Sequence, residues 1–208
     1  MSIWTSEVRA ALATLVALPL AGCLAAVDAG PKPAVRNVAL DGGAVILSAP
    51  RGYCVDPDSM RRSSGRVALL ASCERLTGAP GIAVAPAVMT VSVVPQGDAP
   101  APSPEGLARA VAPARTGAGG TEADLAYVQV MIGGEAVLPG GDPRHWRGAR
   151  RVAGHLAGLA VYAPEGSPLA GPDGRRLLRE LAGGLRAGTG APVNRAGGSP
   201  AGLFPVSN

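Results

Sequence analysis

The sequence predicts one α+β domain with an antiparallel sheet, a short helix and a C-terminal amphipathic helix. Three observations predict it. Short apolar runs recur between turn residues from Val38 to Ala163, most of them too short for helices. One of them, Met89-Thr-Val-Ser-Val-Val94, alternates apolar and polar side chains, as a strand with one buried face does. Near the end Leu177, Leu178, Leu181, Ala182 and Leu185 recur at helical spacing, with Arg175, Arg176, Arg179 and Glu180 on the opposite face.

The elements follow in order. Val38–Leu40, Asp41-Gly42-Gly43 and Ala44–Ala49 read as strand, turn and strand, a hairpin that Pro50-Arg51-Gly52 ends. Val67–Ala71 is the next strand, then Met89–Val94. Ser103 can cap a helix, Pro104 suits its first position and Glu105 favours its positive end; Leu107, Ala108 and Val111 form its apolar stripe and Pro113 stops it. Ala126–Ile132 returns to strand. Gly117-Ala118-Gly119-Gly120 and the stretch Gly133–Gly148 read as loops. His155–Ala163 is apolar on both faces, which predicts a central strand buried on both sides. Asp56 and Asp58 around Pro57 suggest a polar turn. The Gly188–Asn208 stretch has no periodicity and reads as mobile. The expected organisation is a leader over 1–22, a tether over 23–36, the domain over 37–186 and a tail over 187–208.

Composition limits the functional classes. Of 208 residues, 47% are apolar and only 16% charged, which argues against a disordered, highly charged chain. Aromatics are 3%, so Val, Leu, Ile and Ala must fill the core. Lys32 is the only lysine; the remaining basic residues are arginines, which fits GC-rich codon usage. The net charge is +4, but no long block of like charge occurs and few aromatics lie among the arginines, so nucleic-acid binding is not supported.

The N-terminus carries the strongest local signal. A polar lead with Arg9 precedes an apolar run, Ala10–Leu20, too short to span a bilayer and of the length of a secretory h-region. Leu20-Ala21-Gly22-Cys23 follows at once. This quartet resembles the lipobox of bacterial lipoproteins. The resemblance implies that Cys23 receives a diacylglyceryl group through its thiol and becomes the N-terminus after cleavage. It implies a membrane anchor through lipid, with the domain facing the periplasm. Leu24 after the cysteine mildly favours the outer membrane by analogy. The sparse positive charge of the lead departs from the usual pattern. Gly30, Pro31 and Pro33 suit an extended tether beyond it.

Cys54 and Cys73 remain. An even pair in an exported chain reads as a structural disulfide; a redox pair or two inert thiols are the alternatives. Ala49-Pro50-Arg51-Gly52-Tyr53 after the hairpin, and the order strand, Tyr162, loop, final helix, resemble the small sandwich of Mog1 and PsbP-like proteins over roughly residues 37–186. The arrangement around Arg51–Cys54 and Ser72-Cys73 is also similar to uncharacterised proteobacterial lipoproteins, which implies no activity.

Chemistry is sparse. Neither His145 nor His155 has the spacing of a metal site, no nucleophile elbow or phosphate loop occurs, and no pattern calls for a cofactor or metal. His155 reads as a residue at a sheet margin. Ser63 and Ser64 among Arg61, Arg62 and Arg66 suit a solvated loop. Arg144, Trp146 and Arg147, with Arg175, Arg176 and Arg179, are the candidate interaction surface. Arg150 and Arg151 belong to the same candidate surface, which suits anionic lipid or an acidic partner. The expected function is a non-catalytic, lipid-anchored envelope protein that binds an envelope partner or supports an assembly. The alternatives are a hydrolase built on His145 or His155, and a small-ligand carrier with an apolar cavity.

Overall fold

The structure, a computed structural model, describes residues 32–190 apart from residue 98. The chain divides into two units, Met1–Gly30 and Pro31–Asn208. The first lies outside the described residues, and with it the expected leader and Cys23; so does the tail from residue 191.

The domain begins with the predicted hairpin. Strands β1 (Asn37–Leu40) and β2 (Val45–Ser48) pair antiparallel around a 3-10 turn at Asp41–Gly43. A short strand β3 (Tyr53–Val55) follows, then helix α1 (Pro57–Arg62), strand β4 (Val67–Ser72) and helix α2 (Cys73–Thr77). Each helix starts where a side chain caps it. Asp56 accepts from the Asp58 N–H at 3.0 Å, and Ser72 accepts from that of Arg75 at 3.3 Å. The polar turn expected at Asp56–Asp58 is therefore the cap and first turn of a helix.

Strand β5 (Val88–Pro95) leads to helix α3 (Pro104–Ala110), capped by Ser103 as its sequence predicts. Strands β6 (Thr116–Glu122) and β7 (Leu125–Val130), helix α4 (Gly134–Val137), and strands β8 (His145–Val152) and β9 (His155–Tyr162) come next. Helix α5 (Pro172–Gly183) and strand β10 (Leu185–Ala187) complete the described part. Two expected loops are thus corrected. Gly117–Gly120 lies inside strand β6, and the Gly133–Gly148 stretch contains α4 and the start of β8. Leu185 belongs to β10 rather than to the helix, because the turn at Gly184 carries it onto β2, opposite Leu47.

Seven strands form one antiparallel sheet in the order β3-β4-β5-β9-β8-β7-β6. β9 occupies its middle, as its two apolar faces predict. β1, β2 and β10 form a second, smaller sheet. The fold is α+β with antiparallel sheets. On one face of the large sheet, Met89, Val91 and Val93 of β5 lie beside Val161, Leu159 and Ala157 of β9. Leu177, Leu178 and Leu181 of α5, and Val45 and Leu47 of β2, complete this core. Leu178 and Leu181 are fully buried, each contributing about 2 kcal/mol of transfer free energy. On the opposite face Leu107 of α3 packs with Ala126, Val128 and Val130 of β7 and Ala149 of β8.

The start of the described chain is bound to the domain. The Lys32 N–H donates to the Thr77 carbonyl, the Val35 carbonyl accepts from Val55 at 2.7 Å, and that of Arg36 from Ala49. At the other end Gly188 and Gly190 donate to the carbonyls of Ala44 and Gly43.

Candidate functional site

Cys54 sits in β3, Cys73 opens α2, and the two are joined in a disulfide with Cα atoms 4.8 Å apart. The sheet sets this up. Cys54 lies opposite Ala71 in the β3–β4 ladder, and the Cys73 N–H returns to the Gly52 carbonyl at 2.9 Å. Gly52 itself has φ +82°, and a methyl group there would collide with the Val84 side chain. The segment carrying Val84 is also held by Tyr53, whose hydroxyl donates to the Ala85 carbonyl at 2.7 Å. The Arg51–Cys54 stretch thus works locally as a turn, an anchor and a bridge.

A groove of about 410 Å³ lies beside the bridge. Its apolar wall includes Val35, Val55 and Leu76, while Lys32, Asp58 and Arg61 bring charge to it. Arg61 and Asp58 are themselves ion-paired. This lining is mixed, unlike the Val- and Leu-lined cavity expected of an apolar-ligand carrier.

The two histidines are structural in different ways. His155 lies at the margin of the sheet, as expected, where β9 begins opposite the ends of β5 and β8, and is 1% exposed. Its Nδ1 faces the Ala153 carbonyl at 2.9 Å and its Nε2 faces the Asp41 carboxylate at 3.1 Å. The other oxygen of Asp41 accepts from Arg66 Nε at 3.2 Å. Both ring nitrogens therefore face oxygens of the protein itself. Neither nitrogen of this buried ring is turned to open space where a substrate would meet it. Sequence spacing does not show this cluster, since Asp41 and His155 are 114 positions apart. The one local signal is the polar Asp in an otherwise apolar hairpin.

His145 lies on the opposite face of the sheet, stacked on Tyr162 with ring centroids 4.9 Å apart. The Arg147 guanidinium stands 5.4 Å from the centre of the same tyrosine ring. Burial, then the Arg147 charge, lowers the pKa of His145 to about 4. The ring is held neutral at pH 7, with Nδ1 3.3 Å from the Pro143 carbonyl. Burial also lowers the pKa of Arg147 and raises that of the Tyr162 phenol. Close by in sequence, Asp142 receives both Arg144 Nε and a terminal nitrogen at 3.0 Å, and also the Arg144 backbone N–H. These bonds, above all those from the Arg144 side chain, hold its carboxyl at about 2.

The expected arginine surface divides. Trp146 is 3% exposed and Arg147 is 7% exposed, because both lie in β8 rather than in a loop. Trp146 packs against Tyr127 and donates from its indole to the Gly171 carbonyl at 2.8 Å, fixing the turn into α5. These two residues are removed from the candidate surface by burial. Arg144 is exposed but bound to Asp142. Arg175, Arg176 and Arg179 are exposed on α5. Arg176 pairs with Asp173, Arg179 pairs with Glu122 of β6 at 2.6 Å, and Arg175 lies over the Tyr127 ring. Much of the positive charge of this face is thus already answered by carboxylates. Of the other two arginines, Arg150 bonds the Ala182 carbonyl and Asp124, and Arg151 bonds the carbonyls of Gly97 and Ala99.

Among the described residues no cluster of three or more His, Cys, Asp or Glu side chains is placed to hold a metal ion. No described helix is long and apolar enough to cross a membrane.

No protein family profile matches the sequence, and neither does any curated protein. Solved structures similar to the chain include a point mutant of the protein Mog1, at 13% identity and a TM-score of 0.46, covering 73% of this chain and 95% of that one. They also include the Ran-binding protein Mog1p of Saccharomyces cerevisiae, at 11% identity and a TM-score of 0.44, covering 73% and 94%.

Proposed function

We propose that the chain is a lipid-anchored component of a bacterial cell envelope. Its domain faces the periplasm, binds another envelope component or supports an assembly, and carries out no catalysis. The observation that carries this reading is the Cys54–Cys73 disulfide in a chain whose N-terminus resembles a lipobox. Bridges of this kind persist in oxidising compartments and are rare in the cytosol. The lipobox resemblance and the bridge are independent features that point to the same side of a membrane. In this reading Cys23 carries the acyl groups, and the chain enters the domain along Lys32–Arg36.

The histidines support a binding role over a hydrolase. A general base needs an open lone pair within reach of a nucleophile. His155 has both nitrogens facing Ala153 and Asp41, and His145, stacked on Tyr162, is only 3% exposed and so out of a substrate's reach.

Fractionation with the variant Cys23→Ser tests the proposal. The wild-type chain is expected in the membrane fraction, released by detergent but not by salt, and C23S in the soluble or signal-retained form. Cys54 and Cys73 are expected to react with maleimide only after reduction. A wild-type chain in the cytosol with both thiols open would overturn the proposal.

A further inference from the structure

The seven-stranded sheet has two edges, and only one is covered by the described chain. At β3 the incoming segment is bonded along the edge, with Val55 donating to Val35 at 2.7 Å. At the other end β6 pairs with β7 alone, and Thr116, Gly117, Ala118, Gly119 and Thr121 are exposed. This edge has neither proline nor lysine to discourage pairing, and its glycines leave the backbone accessible. We propose that β6 is a self-docking edge, on which a second copy of this chain pairs antiparallel to join two seven-stranded sheets into one.

The backbone direction supports a two-fold pairing. The Arg115 carbonyl accepts from Met131 at 2.9 Å, so Arg115 faces β7 and Thr116, by alternation, faces outward. At the other end a two-residue turn, Ala123-Asp124, closes on the pair Glu122 and Leu125. The closing pair of such a hairpin is hydrogen-bonded, so Thr121 faces outward as well. Five positions apart, these threonines face opposite ways in a regular strand. The irregularity between Thr116 and Gly119 shifts the register by one and turns both outward.

A two-fold axis at Gly119 then places Thr116 opposite Thr121 of the second copy, Gly119 opposite its own copy, and the bulged pair Gly117-Ala118 opposite Gly120. The same register sets Arg115 opposite Glu122, twice. This charge complementarity selects a second copy as the occupant. Glu122 is already bonded to Arg179 in its own chain, and a carboxylate accepts from two guanidinium groups at once. The contact is one strand wide, smaller than a standard interface, so the dimer is weak and salt-sensitive. The inference does not depend on whether the chain is anchored.

Sedimentation velocity of the full chain over a concentration series tests it, with Arg115→Glu and Glu122→Arg measured alone and mixed. The wild type is expected to dimerise at low salt. Each variant alone places like charges opposite each other twice and is expected to dimerise roughly tenfold more weakly. An equimolar mixture restores opposite charges at both positions and is expected to recover the wild-type association as a heterodimer. Circular dichroism melts check that both variants fold. Because Glu122→Arg also removes the Arg179 partner, the recovery in the mixture is the deciding readout. A wild type that stays monomeric throughout overturns the proposal and leaves the edge to an extended segment of a different protein. Dimerisation insensitive to both charge changes places the interface elsewhere and overturns it equally.

Discussion

Reducing the Cys54–Cys73 bridge removes a cross-link that closes a loop of sequence separation 19. In the chain-entropy account a loop of this length restricts the unfolded state by about 3 kcal/mol. The bridge ties α2, a helix of five residues, to β3, an edge strand of three, and neither has the length to hold itself. Against a usual domain stability of about 5–15 kcal/mol, the loss is a large fraction. For a domain of this size it corresponds to a fall of roughly 6–12 °C in melting temperature. The assay is urea unfolding followed by circular dichroism, with and without dithiothreitol, alongside the double variant Cys54→Ala, Cys73→Ala. The reduced wild type and the double variant are expected to unfold at similar, lower urea concentrations. An unchanged midpoint after verified reduction would refute the reasoning, because the bridge would then close a loop already ordered without it.

Other consequences follow from particular contacts. His145, held at about 4 by burial and by Arg147, is neutral when folded and takes up a proton more readily when unfolded, near its usual value of about 6.5. Stability should therefore fall as pH drops from about 6.5 to 4, by about 2–3 kcal/mol, and His145→Gln should flatten that part of the profile in pH-dependent urea midpoints. Asp142, held at about 2, contributes below that window: its stabilisation is present above the ordinary carboxyl range and is lost as pH falls towards 2. Asp142→Asn should remove that acid-side loss in melts between pH 5 and 2. Asp41→Asn keeps a residue tolerant of φ +45° but gives up the carboxylate that meets His155 and Arg66. It should cost about 1–3 kcal/mol in chemical unfolding, and Asp41→Ala should cost more. Gly174→Ala places a methyl group against the Leu169 carbonyl and the Trp146 ring at the start of α5. Thermal melts should show a loss of about 2 kcal/mol or more, whereas Gly183→Ala, with open space around it, should change little.

Much of the architecture is written in local apolar pattern. The Met89–Val94 alternation marks β5, and the two apolar faces of His155–Ala163 mark the middle strand. The leucines before Gly183 mark α5, and Ser103-Pro104-Glu105 marks the start of α3. What the pattern hides is strand structure made of small or charged residues. β6 reads Thr-Gly-Ala-Gly-Gly-Thr-Glu and has almost no apolar content, because it is an exposed edge. β8 carries three arginines, yet most of it is buried, since its neighbours on both sides supply the hydrogen-bond ladder regardless of side chain. That hidden strand is why Trp146 and Arg147 read as surface residues and lie inside. β3, α1 and α2 are too short for periodicity, and their caps are the only local trace. The Asp41–His155–Arg66 cluster depends on the hairpin folding over the sheet, a long-range event that no spacing records.

The most direct test of the account is the intact mass of the unreduced protein extracted from its own membranes. A chain that begins at Cys23, heavier by its acyl groups and lighter by the two hydrogens of the Cys54–Cys73 bridge, is the predicted result. A chain that retains residues 1–22 and carries free thiols would contradict it.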